Sequence, residues 1–218
     1  MSVLGVGAVE RRPTVLDTTG CSYFVGSPGL DHSGPHADGT GHDAYDQAMT
    51  APGFTIDTPR LEDAPAIARV HVESWRDAYA HLLEDHEHWF GAPALERRTA
   101  QWTRFLTPGD PHQGRSTAKV GRSPEGQVVG FATGGLSRDA DAGPPLELFA
   151  LYTDRAWYGT GLGRALVEAV LEGASASVWV AAENPRARRF YEKLGFAPDG
   201  AEKVEEHLGN LLDIRMVR

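Results

Sequence analysis

The 218-residue sequence predicts one mixed α/β domain, of α/β or α+β type, built on a single sheet and preceded by an N-terminal extension. Three observations predict it. In the last third, strand and helix patterns alternate twice, which implies a parallel strand pair joined by a helical crossover. Before that, two strand patterns flank the turn Ser123-Pro124-Glu125-Gly126, as in a hairpin. All five tryptophans, at positions 75, 89, 102, 157 and 179, lie beyond residue 52, where a packed core would gather them.

Residues 1–52 form the extension and 53–218 the domain. The extension contains GSPGLDHSGPHADGTGHD, which has neither helix nor strand period. Such a composition buries too little apolar surface to offset its ordering entropy, so disorder is expected. Met49 stands just before TAPGFTI, where the globular pattern begins, and is expected to be an alternative start. Peptides from residues 1–48 in the mass spectrum of the native protein would refute that.

Within the domain, Phe54 to Asp57 alternates apolar and polar residues, a short strand. Glu62 and Asp63 open a helix, where acids suit the positive end of its dipole. Ile67, His71, Trp75, Ala78, Tyr79 and Leu82 follow at helical spacing. A second helix is expected over Ala94 to Phe105, with Leu95, Trp102 and Phe105 on its apolar face and Pro108 and Pro111 ending it. Ala118-Lys119-Val120 and Val128 to Thr133 are the hairpin strands, and Asp139 to Pro145 is a loop. LELFALYT, Leu146 to Thr153, is the uniformly apolar run of a central strand. A helix from Leu162 to Glu172 turns Leu162, Leu166, Ala169 and Val170 to one face. Ser177 to Ala182 is a strand, Pro185 to Leu194 a helix closed by Gly195, and Leu211 to Val217 the last strand.

Composition excludes some classes of function. The formal net charge of −9 argues against nucleic acid as a partner, since phosphate backbones need a basic footprint, and leans towards cationic substrates such as amines. No run approaches the roughly 18 apolar residues of a membrane span. The apolar N-terminal run lacks a preceding basic region, and the single cysteine, Cys21, cannot form an internal disulfide. A cytoplasmic protein without membrane association is expected. His32 with His36, and His86 with His88, are close histidine pairs, but neither has a third ligand at metal-binding spacing, so no metal is expected.

The segment WYGTGLGRAL, residues 157–166, carries three alternating glycines and runs straight into a helix. A triphosphate loop would need Lys-Ser or Lys-Thr after its last glycine, and none is present. A dinucleotide fingerprint would need a third glycine where Arg164 or Leu166 stands. What remains is a loop of backbone N–H groups at a helix start, a generic anion site, with Arg164 able to add a charge-assisted contact. A plain strand-to-helix turn fits the loop equally well when it is taken alone.

One helix and one strand downstream stands ENPRARRFYEKLGF. Asn184 and Pro185 make a sound helix start, and Ala187, Phe190, Tyr191 and Leu194 fall at helical spacing. From Phe54 to Arg218 the sequence resembles the GCN5-related N-acetyltransferase (GNAT) family, most strongly in LELFALYTDRAWYGTGLGRAL and VWVAAENPRARRFYEKLGF. Gly161 and Gly163 match the glycines of the family's Gln/Arg-x-x-Gly-x-Gly/Ala loop, with Tyr158 at the Gln/Arg position. Asn-x-x-Ala-x-x-Phe-Tyr-x-x-x-Gly-Phe matches from Asn184 to Phe196.

The resemblance implies a central twisted mixed sheet flanked by helices, and an acetyl-CoA-dependent transferase acting on a primary amine of a small molecule or peptide. It implies that Leu151, Tyr152 and Thr153 pair through their backbone with the pantetheine arm. Gly159, Thr160, Gly161, Leu162, Gly163 and Arg164 would hold the pyrophosphate, and Asn184 would bond the pantetheine. Tyr191 is implied as the acid that protonates the leaving thiolate, since a phenol with a pKa of about 10 keeps its proton at neutral pH. Glu147 is implied as the base, and His71, Trp75 and Tyr79 share a helix face near where the acceptor enters. Transfer would be direct, because no cysteine in the domain offers a covalent relay. Dimers are common in the family, so a homodimer is among the expectations. A non-catalytic acyl-CoA-binding module is the competing class.

Overall fold

The computed structural model describes residues 53–81, 83–110, 114–139, 143–208 and 210–218. The expected extension, with Cys21, His32, His36 and Met49, lies outside these residues, as does Leu82. Seven strands form one sheet in the order β1-β2-β3-β4-β5-β7-β6. Strand β1 (Thr55–Asp57) leads through a single 3-10 turn into helix α1 (Ala64–Tyr79). Asp63 fixes that entry: its carboxylate accepts from Arg122 at 2.9 and 2.8 Å and from the Arg60 N–H at 2.7 Å. The spacing of Ile67, His71 and Trp75 puts all three on the buried side of α1.

Helices α2 (His86–Phe90) and α3 (Ala92–Leu106) follow. The five residues of α2 are too few to show a period, and it was not expected. α3 starts two residues earlier than Ala94 because Pro93 suits its first turn. Leu95, expected on its apolar face, is exposed, and Ala94 and Arg98 are buried instead. The Arg98 guanidinium lies 5.4 Å from the Trp75 ring centroid, which explains a buried cation on that face.

Strands β2 (Ser116–Arg122) and β3 (Val128–Leu136) form the expected hairpin, and β4 (Leu146–Thr153) is the central strand. Helix α4 (Leu162–Leu171) crosses over to β5 (Ala176–Ala181), which pairs with β4 in parallel. Helix α5 (Pro185–Glu192) follows, and Gly195, at φ +88°, turns the chain out of it. Strand β6 (Ala197–Glu205) was not expected: it is an edge strand containing Pro198 and Gly200, and its side chains are mostly exposed. Strand β7 (Leu211–Val217) completes the sheet between β5 and β6.

Two layers of helix cover the sheet. Helices α1 and α3 bring Ile67, Val70, Trp102 and Phe105 against Val120 and Phe131. On the other face α4 and α5 join Leu162, Leu166, Val167, Tyr191 and Leu194 to Leu148, Val178 and Met216. No described helix is long and apolar enough to cross a membrane.

Candidate active site

The sheet opens at its centre. Strands β4 and β5 are paired only from Leu146–Ala176 to Leu148–Val178, although β4 runs on to Thr153 and β5 to Ala181. The stagger at Thr133/Gly134 in the β3–β4 ladder leaves Phe149 as an extra residue in β4, and such a bulge bends a strand at this point. Beyond the bulge, Ala150 to Thr153 pair only with β3, so their other edge faces the opening. Leu151, Tyr152 and Thr153 thus stand on the stretch of β4 that β5 does not pair with, and the Thr153 carbonyl also accepts from Ser74 Oγ at 3.3 Å.

The glycine loop lies where β4 ends. Asp154 takes a two-pronged contact from Arg69 of α1, at 3.3 and 3.1 Å, and Trp157 packs edge-on against Phe54, so both flanks of the loop are pinned. Gly159 and Gly161 adopt φ of +79° and +93°, which an L side chain would resist. Thr160 Oγ1 donates to the Trp157 carbonyl at 2.8 Å. The backbone N–H groups of Gly161, Gly163 and Arg164 meet no acceptor among the described residues, as expected in the first turn of α4. Gly163 has a different reason to be glycine: a Cβ there would stand 3.2 Å from the Phe190 ring. The Arg164 side chain points to α5, donating to the Lys193 carbonyl at 3.1 Å, so the loop receives its backbone N–H and not a free guanidinium.

Across the opening, Asn184 caps α5: its Oδ1 accepts from the Ala187 N–H at 3.0 Å. That leaves Nδ2 as a donor without an acceptor among the described residues. Tyr191, on the same helix, is buried between Phe190 and Phe196. Burial, with a smaller contribution from the nearby Tyr79 phenol, pushes its hydroxyl well above the usual tyrosine range, so it keeps its proton.

Trp75 and Tyr79 line a small pocket with Leu83, Leu208 and Leu211. Trp75 also donates through Nε1 to the Tyr152 hydroxyl at 2.8 Å, joining that pocket to the open strand. His71 does not line it. It is enclosed in the core and stacked 4.8 Å from the Tyr152 ring, where burial and then the Arg98 cation hold its imidazole well below the usual range.

Glu147 is fully buried on β4, and its oxygens are already engaged. Arg138 donates to it from Nε at 3.0 Å, from its backbone N–H at 3.1 Å and from Nη2. Asp213 was missed by the sequence reading. Strand alternation puts it on the same face of β7 as the pocket residue Leu211. Its carboxylate makes no hydrogen bond or ion pair among the described residues, and Lys203, opposite it on β6, is paired with Glu205 at 2.9 Å. Arg215, next on that face, is held by Asp139 and Asp199. Burial, and to a lesser degree Glu205, pushes Asp213 up to about 6 against the opposing pull of Lys203. No sequence signal marks it. Among the described residues no group of three or more metal-ligating side chains converges, and His86 instead contacts the Ala80 carbonyl at 2.8 Å.

Known proteins resemble this chain in sequence and in fold. The sequence profile of the acetyltransferase (GNAT) family matches residues 69–196. An uncharacterized N-acetyltransferase of Bacillus subtilis, YuaI, is 32% identical over 170 residues, covering 74% of this chain and 88% of the relative. An uncharacterized N-acetyltransferase of Mycobacterium tuberculosis is 30% identical over 177 residues, covering 78% and 93%. Among solved structures, the PaiA N-acetyltransferase of Thermoplasma acidophilum in complex with coenzyme A has a TM-score of 0.50 at 19% identity, covering 74% of this chain and 97% of that one. The ribosomal-protein-S5-alanine acetyltransferase of Vibrio fischeri has a TM-score of 0.57 at 16% identity, covering 79% and 96%. At those identities the structural likeness speaks for the fold alone, but the profile spans more than half of the 218 residues. A seven-stranded sheet opened at β4–β5, a left-handed glycine loop at the start of α4 and a matching family profile meet in one chain, and that chain belongs to the GNAT acetyltransferase family.

Proposed function

We propose that the protein is an N-acetyltransferase that moves an acetyl group from acetyl-CoA directly to a primary amine of a small molecule or peptide. The observation that carries this is the opening between β4 and β5, flanked by the stretch of β4 beyond its pairing with β5, the unsatisfied N–H groups at the start of α4 and Asn184. These donors and acceptors fit the amide-bearing arm and diphosphate of the cofactor, which supplies an acetyl thioester when bound.

The chain's own residues then divide the proton work. Tyr191 Oη holds the proton for the departing sulfur. Backbone N–H groups on the stretch of β4 that β5 does not pair with face the opening, where they can meet developing negative charge. A proton must also leave the attacking ammonium. Glu147, the base implied by resemblance, would have to give up Arg138 to accept it. Asp213 needs no such release, shares a face of β7 with the pocket residue Leu211, and is poised close to neutrality, which suits a general base. A cytoplasmic location agrees with the single cysteine.

The test is a thiol-release screen of the purified protein with acetyl-CoA against a library of amines. Release with at least one amine class supports the proposal. Tight acetyl-CoA binding with no release across the library would favour a non-catalytic binding module.

A further inference from the structure

The loop departs from the family pattern at Tyr158, where a ring stands in place of Gln or Arg. A cation reaches that position from elsewhere in the chain: the Arg186 guanidinium lies 3.2 Å from the centroid of the Tyr158 ring. We propose that Arg186, stacked on Tyr158, is the side-chain cation of the anion cradle and grips the diphosphate of the bound acyl-CoA. The proposal rests on the acyl-CoA reading above.

Three features support it. A guanidinium on a ring face uses its π surface for the contact and keeps its N–H donors for a planar, bidentate anion. Among the described residues none of those donors has an acceptor, whereas Arg164 is bound to the Lys193 carbonyl and Arg188 to the Ala182 carbonyl. Position is the third feature. Arg186 lies in the first turn of α5, two residues after Asn184, and Tyr158 directly precedes the loop whose Gly161, Gly163 and Arg164 N–H groups are unsatisfied. The stack therefore places one cation between the two elements that flank the opening. A rigid ring also restrains a long side chain before binding, which lowers the ordering cost. The charge moved from the loop to the neighbouring helix, and Tyr158 became its support.

Calorimetric titration of the full chain with coenzyme A, dephospho-coenzyme A and pantetheine tests this. Arg186→Ala is expected to weaken coenzyme A and dephospho-coenzyme A alike, by roughly 10-fold, and to leave pantetheine unchanged. Tyr158→Ala is expected to do the same, and the double variant to lose no more than either single one. Tyr158→Arg in the Arg186→Ala background is expected to restore affinity. Unchanged affinity in Arg186→Ala, additive single effects, or a loss confined to coenzyme A would overturn the proposal, the last by assigning Arg186 to the 3′-phosphate. Failure of the unaltered protein to bind coenzyme A would instead refute the acyl-CoA reading itself.

Discussion

Arg138 closes over Glu147 from the loop that follows β3, donating through its backbone N–H, Nε and Nη2 to a carboxylate that is 1% exposed. The Arg138 guanidinium also lies 4.5 Å from the ring centroid of Phe149, the bulge residue of β4. Glu147 is thus tied to the geometry that opens the sheet. Its replacement by Gln leaves Arg138 without its counter-charge, and a loss of roughly 3 kcal/mol is expected, the lower end for a broken buried pair because Arg138 is partly exposed. Chemical denaturation measures it. The acidic limb of the pH–rate profile should persist in this variant. A flattened limb would return the proton-accepting role to Glu147.

Asp213 has the complementary signature. Its folded pKa of about 6 lies above the usual aspartate value, so the folded state binds the extra proton. Its ionisation therefore costs stability above about pH 6, and that cost fades as the pH falls towards the unfolded value near 4. Asp213→Asn should melt higher than the parent at pH 8, with the difference shrinking at pH 5. The same variant should lose the acidic limb of kcat/KM near pH 6. Acetyl-CoA affinity should not change.

Tyr191→Phe should lower turnover by roughly 10²-fold. The phenol is buried and its ring packs between Phe190 and Phe196, so Phe preserves the fold and removes only the hydroxyl. Coenzyme A affinity is expected to stay near that of the parent, and calorimetry checks it. Full turnover in Tyr191→Phe would remove Tyr191 from the chemistry.

Gly161 and Gly163 should respond differently to alanine. Gly161 holds φ +93° with open space where a Cβ would be, so Gly161→Ala strains the loop and should weaken coenzyme A binding. Gly163 has no positive φ, but its Cβ would press on the Phe190 ring. Gly163→Ala should cost about 1 kcal/mol of stability, and Phe190→Leu in that background should recover part of it. Thermal melts with and without coenzyme A separate the two effects.

Local pattern carried most of the fold. The uniformly apolar run LELFALYT, the period of 3.6 in α1 and α4, and the caps at Asn184 and Gly195 are properties of near neighbours in the chain, so β4, α4, β5, α5 and β7 stand within a residue or two of their expected places. Elements that lack a period escaped. Helix α2 is too short, and β6 is an edge strand whose polar residues need no buried face. The site divides in the same way: Asn184, Tyr191 and the loop glycines belong to two contiguous motifs.

Long-range contacts decided the rest. Sequence reading could name Glu147 but not Arg138 closing over it, because that pairing depends on how the β3–β4 loop folds back. Asp213 became visible only when β7 settled between β5 and β6 and turned it to the face of Leu211 and the α1 pocket. His71 shared a helix face with Trp75 and Tyr79 in sequence, yet the sheet buried it against Tyr152 and left the other two at the pocket. Tyr158 and Arg186 lie 28 residues apart and meet because α4 and β5 return α5 to the loop. By itself the sequence determined the family's motifs and the elements that carry them, since these follow from short-range periodicity and capping. Only the tertiary structure decided which charges are committed and which stand free, because burial and pairing exist only once distant strands are brought together.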